Sequence, residues 1–383
     1  MLLLAIATGA GCRAVTPRPS TADASQLPRV EPDASEQRSR DELIAAAIEA
    51  LRLDRLIEAA AAARSALAID PRAARAHAIE AVSSQRSAQR DSLPALGPVR
   101  RAEFTMQLAL QLAPIDPFVG WLHAVFLADG GHVSAAAAAA EAALGQTTAT
   151  GPERAALLGA AAAYRYELGE ERRALPHLEQ YLALRPGDGA SRYRLAVCLL
   201  RMAEQPQGDT PAMLLEAQRA AERAANAFQR CAEAEPTDLE AALAVATAWS
   251  RAAALAAQRP AQGSPSSSET KAAFLQRAVV QLTEVAARFP NAAEPWFRLG
   301  VVHEQAGDAG AAMQAYQQAT AGAEPHVGAM VNLAKLAERA GDPARAEILL
   351  RRTLAVKDGP EALRDDERDR IAKWLDARLR AAR

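Results

Sequence analysis

Alanine stands twelve residues before a helix-ending proline at five places along the chain. The five pairs are Ala59 and Pro71, Ala102 and Pro114, Ala174 and Pro186, Ala224 and Pro236, and Ala278 and Pro290. A larger or apolar residue often follows the alanine by four and by seven positions, as Met106 and Ala109 follow Ala102. Because residues three and four apart share one face of an α-helix, this pattern predicts helices with a strip of small side chains. Small side chains let two helix axes come close together, so the chain is restricted to folds of closely paired helices.

A repeat of 34 residues is clearest near the carboxyl end. Leu299, Gly307, Ala312 and Tyr316 recur 34 positions later as Leu333, Gly341, Ala346 and Leu350. A pair of helices with its turns fills such a period, and one hairpin cannot cover its own apolar face, so successive hairpins must stack. The sequence predicts eight hairpins, at about 41–71, 74–114, 117–148, 152–186, 189–236, 237–290, 293–325 and 327–358.

The composition also indicates an all-α fold. β-branched residues are sparse, and no segment alternates between apolar and polar residues with the period of a strand. The formal net charge is −2 with a sequence pI of about 6.4, and acidic and basic residues are interspersed. A nucleic-acid-binding protein usually carries a basic face or stripe, so we do not expect a nucleic-acid partner.

The seventh predicted hairpin resembles the tetratricopeptide repeat. The matching residues are Trp296, Leu299, Gly300, Gly307, Ala312, Tyr316 and Ala319. His303 replaces an aromatic residue of the family pattern, and Pro325 falls one residue late. The resemblance covers residues 41–358 and implies a right-handed α-solenoid of about eight hairpins. It also implies that the first helix of each hairpin lines a concave groove for a protein or peptide partner.

Three hairpins contain polar or proline-rich insertions between their two helices, at 86–97, 203–212 and 258–270. If the family geometry holds, all three emerge on one edge of the array. They either mark a contact surface or reflect the small thermodynamic cost of lengthening a loop.

The last segment, residues 359–383, is predicted to form a helix that caps the array. Leu363, Ile371, Trp374, Leu375 and Leu379 form one apolar stripe, with dense charge on the opposite side. A repeat array needs a terminal helix with a polar outer face to remain soluble. The alternative is an amphipathic helix that binds a partner or a membrane surface.

The amino-terminal residues resemble a bacterial lipoprotein signal. An apolar run from Leu2 to Ala10 leads through small residues to Cys12, although no basic residue precedes the run, as a signal peptide should have. We therefore expect a signal segment at 1–12 with lipidation at Cys12. Residues 13–40 are rich in proline, serine and charge, which predicts a disordered linker. The alternative is a cytosolic protein with a fortuitous apolar start.

No motif predicts an enzyme. His303 and Glu304 could open a zinc-protease helix, but the position four residues after the histidine is Gly307 rather than a second histidine. The chain contains no phosphate-binding loop, nucleophile elbow or C-x-x-C pair. The sequence therefore predicts no catalytic, cofactor-binding or metal site and no small-molecule substrate. Cys198 and Cys231 lie on apolar helix faces and are expected to serve as small hydrophobic residues, with a disulfide as the alternative.

Several first helices carry a second apolar stripe beside the residues that close their own hairpin. These stripes supply the candidate partner-binding residues, which are Phe118, Trp121, Val125, Tyr193, Val197, Phe297 and Val301. A helix with two apolar faces must be covered on both or leave one available. The residues therefore either line a groove or contact the neighbouring helices of the array. Asn332 alone matches a carboxylate-binding clamp found in some members of the family, so we do not expect such a clamp.

These observations predict a non-enzymatic interaction scaffold, lipid-anchored to the outer membrane of a bacterium, facing the periplasm and helping to assemble an envelope machine. Arg13 after Cys12 favours outer-membrane sorting by analogy with other lipoproteins. The alternative is a cytosolic adaptor or a regulatory subunit of an enzyme.

Overall fold

The computed structural model describes residues 22–90, 96–148, 150–259, 267–322, 325–356 and 364–381. Within these ranges every long regular element is an α-helix, and no strand is present. The helices are α1 (Ala34–Arg52), α2 (Leu56–Ile69), α3 (Ala74–Arg90), α4 (Leu96–Leu112), α5 (Pro117–Asp129), α6 (Val133–Gln146), α7 (Pro152–Glu167), α8 (Glu171–Leu184), α9 (Gly189–Glu204), α10 (Pro211–Ala234), α11 (Leu239–Gln258), α12 (Ser267–Arg288), α13 (Ala293–Ala306), α14 (Ala309–Ala319), α15 (Val327–Arg339), α16 (Pro343–Ala355) and α17 (Asp365–Ala381). The prediction of an all-α fold is confirmed.

Successive helices pair into hairpins, and seven of these pairs, from α1 with α2 to α15 with α16, are in direct contact. In the remaining pair, the part of α7 after residue 160 shares an apolar cluster with α8. The limits of these hairpins follow the predicted ones closely, apart from the first, which begins at Ala34 rather than at about residue 41. The chain divides into two compact units, residues 1–160 and 161–383. The first unit has one large apolar core between α1 and α5, and the second unit has its main cores along α9–α13 and α14–α17.

The second helix of each hairpin contains a buried alanine. These residues, at 1% exposure or less, are Ala59, Ala102, Ala136, Ala174, Ala224, Ala278, Ala312 and Ala346. Five of the eight are the alanines that precede a proline by twelve residues. A methyl side chain buries apolar area without holding the helix axes apart, so these alanines allow the two helices of a hairpin to pack closely.

Short hairpins turn through a residue in the left-handed region, where glycine is favoured because it has no Cβ. Gly131, Gly169, Gly307 and Gly341 have φ between 69° and 83°. In the first hairpin Asp54 takes this place with φ 60°, and its carboxylate pairs with Arg90. Each of these turn residues precedes the buried alanine of its hairpin by five positions, so the turn and the alanine keep a fixed register.

Proline and aspartate together separate one hairpin from the next. Pro114, Pro186 and Pro236 each lie just after a helix, and aspartate follows two residues later. Asp116 is the N-cap of α5, where its carboxylate accepts a hydrogen bond from the Phe118 amide at 2.8 Å. An N-cap carboxylate satisfies amide groups that have no partner within the helix. The same two residues therefore end one hairpin and begin the next.

Helices extend into both ends of each of the three predicted insertions. α10 has 24 residues, α11 has 20 and α12 has 22, compared with 11–14 in the short hairpin of α13 and α14. The inserted residues 205–210 remain between α9 and α10.

Residues 22–40 do not form the disordered linker predicted for 13–40. Asp33 and Glu36 form a capping box that begins α1, with the Asp33 carboxylate 2.8 Å from the Glu36 amide. The preceding chain is held by Gln111, whose side-chain amide donates to the Ala22 carbonyl at 2.6 Å and accepts from the Ala24 amide at 2.9 Å. The rest of that predicted linker, and the signal segment with Cys12, lie outside the described residues.

α17 packs against the last hairpin. Leu375 is buried, and Ile371 and Trp374 pack against the core of α14–α16. Arg368 fastens the helix by donating a hydrogen bond to the Leu354 carbonyl of α16 at 3.2 Å. Leu363 and the side chain of Leu379 lie outside the described part of this helix. No described helix is both long enough and apolar enough to cross a membrane.

We predict that Gly300→Ala destabilises the protein by about 2 kcal/mol, because overpacking a filled contact typically costs 1–3 kcal/mol. A Cβ at Gly300 would lie 2.4 Å from the fully buried Tyr316 ring. The control is Gly310→Ala in α14, where the nearest atom outside the residue and its neighbours is 3.5 Å away. That change should leave stability equal or slightly raised. Urea denaturation of both variants makes the comparison, and equal effects would contradict close contact between α13 and α14.

Candidate functional site

The predicted partner-binding residues of the first unit lie on α5, and one of them belongs to the core. Phe118 is only 8% exposed, and its ring lies 5.7 Å from that of Trp121 and 5.3 Å from the Arg75 guanidinium. Trp121 and Val125 are half-buried and pack against the core of the first unit. Phe118 therefore contacts a neighbouring helix, α3, which is the alternative that the sequence left open for this residue.

Tyr193 and Val197, on α9 of the second unit, are half-buried against the core of α9–α13. The Tyr193 ring meets the Phe228 ring edge-on at 5.4 Å, and its hydroxyl donates a hydrogen bond to Glu240 at 3.3 Å. Burial, followed by the charge of Glu240, raises the pKa of the Tyr193 hydroxyl. These contacts fix the ring in place and leave one side of it open.

Phe297 and Val301 on α13 come closest to the predicted groove. Both are half-buried and pack against the core of α14–α17. The Phe297 ring stacks on the His326 imidazole at 4.0 Å and lies 6.0 Å from the Tyr316 ring. Phe297 thus has a supported face, and its remaining surface lines an open cavity.

That cavity lies between α13, α15 and α17 and has a volume of about 390 Å³. We call it the α13–α17 groove. Its lining residues are Phe297, Gly328, Val331, Asn332, Lys335, Glu367, Arg370 and Ile371. Apolar surface from Phe297, Val331 and Ile371 forms the floor, and amide and charged groups form the rim. This combination is typical of binding sites, where apolar contact supplies affinity and a few polar groups fix orientation.

Gly328 keeps the Phe297 ring accessible from the groove. A Cβ at this position would lie 3.1 Å from the His326 ring and 3.3 Å from the Phe297 ring. Any larger residue would therefore press on both rings. The glycine gives the groove its depth at this point, which is a packing role rather than a conformational one because Gly328 is helical.

His326 and Glu294 hold the floor of the groove in place. His326 Nδ1 accepts a hydrogen bond from the Ala329 amide at 3.2 Å and so caps α15. Its Nε2 therefore carries the proton and donates to Glu294 at 2.8 Å. Arg298 donates to the same carboxylate at 2.5 Å. The His326 hydrogen bond, followed by that of Arg298, lowers the pKa of Glu294 to about 2, although burial acts in the opposite direction.

A second network links the groove rim to the crossing of α13 and α14. The Tyr316 hydroxyl donates to Glu304 at 2.6 Å and accepts from the Asn332 side-chain amide at 3.2 Å. Lys335 donates to the Asn332 carbonyl oxygen at 3.4 Å. Burial, followed by the hydrogen bond to Glu304, raises the pKa of Tyr316, so this hydroxyl remains a donor.

The sequence analysis missed the contribution of α17 to the groove. Glu367, Arg370 and Ile371 line it, yet the charged residues of this helix are typical of a solvated face and its apolar residues of a cap. Arg370 pairs with Asp366 at 2.9 Å on the exposed side. The sequence does show an apolar residue, Ile371, beside charged residues on one face of this helix. It does not show which neighbouring helix that face contacts, so the groove could not be predicted from it.

The other residues considered as functional candidates, His303 and two cysteines, lie in surroundings that suit a structural role. His303, considered as a zinc ligand, is half-buried on α13, and no described group of three or more His, Cys, Asp or Glu residues could hold a metal ion. Cys198 and Cys231 are free thiols rather than a disulfide. Burial raises the pKa of the Cys198 thiol to about 12 and also raises that of Cys231, which makes both poor nucleophiles.

No protein-family model matches the sequence, and no curated protein matches it. Solved tetratricopeptide repeat (TPR) structures are similar to the chain. A thermophilic TPR protein from Thermus thermophilus is 21% identical, with 56% of this chain and 95% of that chain covered and a TM-score of 0.36. Pseudomonas aeruginosa pilF is 18% identical, with 68% and 96% covered and a TM-score of 0.41. YrrB, a TPR protein with an unusual peptide-binding site, is 15% identical, with 63% and 95% covered and a TM-score of 0.38. The helices of this chain themselves establish its fold, a series of α-helical hairpins.

We predict that Glu294→Gln lowers the free energy of unfolding at neutral pH by about 1 kcal/mol. This is less than the pKa shift alone implies, because a third of the Glu294 side chain is exposed and solvent screens its charge. The folded-state pKa of about 2 lies below the usual value of 4.5 for this carboxyl group. The stabilisation is therefore complete above pH 4.5 and is lost as the pH falls towards 2.

Denaturant midpoints of the wild type and the variant should consequently converge as the pH is lowered from about 7 to about 3. Glu338→Gln on the exposed side of α15 is the matched control and should show no such convergence. If the denaturant midpoints of wild type and Glu294→Gln differ by the same amount at every pH, this would contradict a stabilising hydrogen bond from His326 to the ionised Glu294 carboxylate.

Proposed function

We propose that this protein is a non-enzymatic scaffold that binds a segment of another protein in the α13–α17 groove. The observation that supports this proposal most is the half-buried Phe297 ring, supported from behind by His326 and open towards a cavity of about 390 Å³. Rigid aromatic anchors surrounded by polar groups are the usual source of binding energy at protein interfaces. The groove offers hydrogen-bond donors and acceptors on its rim and no arrangement of nucleophile and base among its described lining residues.

The rim favours a peptide over a compact small molecule. Lys335 and Arg370 can donate hydrogen bonds, Glu367 can accept them, and Asn332 can do both. A peptide backbone presents the complementary donors and acceptors along its length, and a bulky side chain can cover Phe297. The groove is therefore suited to an apolar side chain flanked by backbone groups.

We further propose that the folded chain is tethered to the outer membrane of a bacterium through a lipid on Cys12 and faces the periplasm. Support comes from the apolar run Leu2–Ala10, the small residues before Cys12 and the proline- and serine-rich stretch that follows. A scaffold held in this way would bring envelope components together, which is the basis for proposing a role in assembling an envelope machine.

Substitution of Val331 by arginine tests the groove. Val331 lines the cavity and is half-buried, so Val331→Arg should fill the cavity with a charged side chain. Peptides selected from a random library on the immobilised wild type should lose at least about ten-fold in affinity, the effect of removing one interface hot spot.

The matched control for this change is Ile348→Arg on α16, where isoleucine is 60% exposed and lies outside the groove. The control should bind the selected peptides like the wild type, and circular dichroism should show equal helix content in all three proteins. Equal binding by wild type and Val331→Arg would exclude the groove as the peptide site.

Substitution of Cys12 tests the anchor. Labelled palmitate should enter the wild type but not Cys12→Ser, and only the wild type should require detergent for release from the membrane fraction. Equal labelling of the two proteins would exclude lipidation at Cys12. A wild type found wholly in the soluble fraction would favour the alternative of a cytosolic adaptor or regulatory subunit.

A further inference from the structure

A second cavity, of about 420 Å³, lies between α8, α9 and α10 on a different part of the second unit. We call it the α8–α10 pocket. Leu182, Leu195, Leu199 and Ala227 provide apolar surface in its lining. A volume of this size holds a few side chains and lies within the range of small-ligand and peptide-anchor sites.

The rim of this pocket carries an excess of positive charge. Arg192, Arg223 and Arg230 line it, and Glu179 is the one carboxylate among the described lining residues. Three guanidinium groups against one carboxylate leave a local charge of +2, in a chain whose formal net charge is −2. The excess is therefore a local feature and not a reflection of a basic protein.

Most of the hydrogen-bonding capacity of these arginines is unused. Arg223 pairs with Glu179, and Arg192 donates to the Pro186 carbonyl. Within the described part of the chain, no hydrogen bond or ion pair involves the Arg230 side chain, although a guanidinium has five N–H donors. The rim is consequently rich in donors that no acceptor among the described residues satisfies.

We propose that the α8–α10 pocket binds an acidic segment of a partner protein in which leucine or a similar apolar residue is flanked by carboxylates. Guanidinium groups bind carboxylates through paired, charge-assisted hydrogen bonds, and the leucine-lined floor receives the apolar side chain. Arg223 and Arg230 lie seven residues apart on α10, which places their Cα atoms about 10.5 Å apart. Arginine side chains are long, so guanidinium groups at this spacing can pair with carboxylates on either side of an apolar residue in the same segment.

The lining favours a peptide over a nucleic acid or a free anion. Single-stranded nucleic acids are held by aromatic side chains that stack on the bases, and none of the described pocket-lining residues is aromatic. Inorganic phosphate would use the guanidinium rim alone and leave the apolar floor exposed. An acidic segment with an apolar residue uses both parts.

This pocket shares no lining residue with the α13–α17 groove of the proposed function. The residues that α9 contributes to it, Arg192, Leu195 and Leu199, occupy one face of the helix. Tyr193 and Val197, two of the partner-binding residues predicted from the sequence, lie on another face of α9, because they are not three, four or seven positions from Arg192. The two surfaces can therefore be tested independently.

Fluorescence anisotropy with a labelled peptide, Gly-Ser-Glu-Leu-Leu-Glu-Ser-Gly, tests this inference on the folded chain. We expect saturable binding to the wild type and a Kd about five- to ten-fold higher for Arg230→Gln, the effect of one charge-assisted contact at an exposed site. Arg345→Gln is the matched control, because Arg345 is an exposed arginine on α16 outside the pocket. It should bind like the wild type.

Arg230→Gln should retain the wild-type denaturation midpoint, because the side chain is exposed and has no partner among the described residues. Arg223→Gln provides a second test of the rim and should also raise the Kd. Two altered peptides test the ligand, one with both glutamates replaced by glutamine and one with both leucines replaced by alanine, and both should bind more weakly than the parent. The groove variant Val331→Arg should bind the acidic peptide like the wild type.

Several results would overturn the inference. These are an absence of saturable binding to the wild type, equal Kd values for wild type and Arg230→Gln, and equal binding of the parent peptide and either altered peptide. Tighter binding of a twelve-nucleotide oligothymidine than of the peptide, or complete displacement by inorganic phosphate at low millimolar concentration, would assign the arginines to another ligand. Loss of binding in Val331→Arg would place the peptide in the α13–α17 groove, which would support the proposed function and contradict the second pocket.

Discussion

Close contact between the two helices of each hairpin is the constraint on which the rest of this structure depends. A buried alanine lies on the second helix of every hairpin, and a glycine on the first helix of two hairpins allows still closer contact. A Cβ at Gly120 would lie 2.6 Å from Ala143, and one at Gly300 would lie 2.4 Å from Tyr316. With so few large side chains available, the chain fills its interior by bringing backbones together, so the interior consists mainly of helix surfaces in direct contact.

That constraint explains why the fold was largely predictable from the sequence. Alanine in the second helix, glycine five positions earlier and proline at the exit are each imposed by local geometry, so their spacing reveals the hairpin limits. The start of α1 was missed, although the Asp33 and Glu36 capping box was visible in the sequence, because the proline- and serine-rich composition around it favoured disorder. The turn at Asp54 lacks the glycine of the other short hairpins, and its φ of 60° is known only from the structure.

The candidate site was predictable only in part, because exposure depends on which helix lies against which face. Phe118 and Phe297 occupy similar second stripes on their helices, yet Phe118 is covered by α3 while Phe297 lines an open groove. The difference arises from neighbours that are remote in sequence, including Gly328, which leaves room beside Phe297. The role of Arg370 could not be inferred from α17 alone for the same reason. Likewise, the arginines of the α8–α10 pocket come from two helices whose relative position the repeat pattern does not specify.

The most direct test of this packing is to observe the contact between α13 and α14 in solution. With five tyrosines in the chain, the ring resonances of Tyr316 can be assigned by substitution, and nuclear Overhauser effects can then be recorded between those ring protons and the α-protons of Gly300. If α13 and α14 touch at this point, we expect a strong effect between the Tyr316 ring protons and the Gly300 α-protons. A folded, helical protein that shows no such effect would contradict the claim that backbone contact at small residues holds the hairpins together.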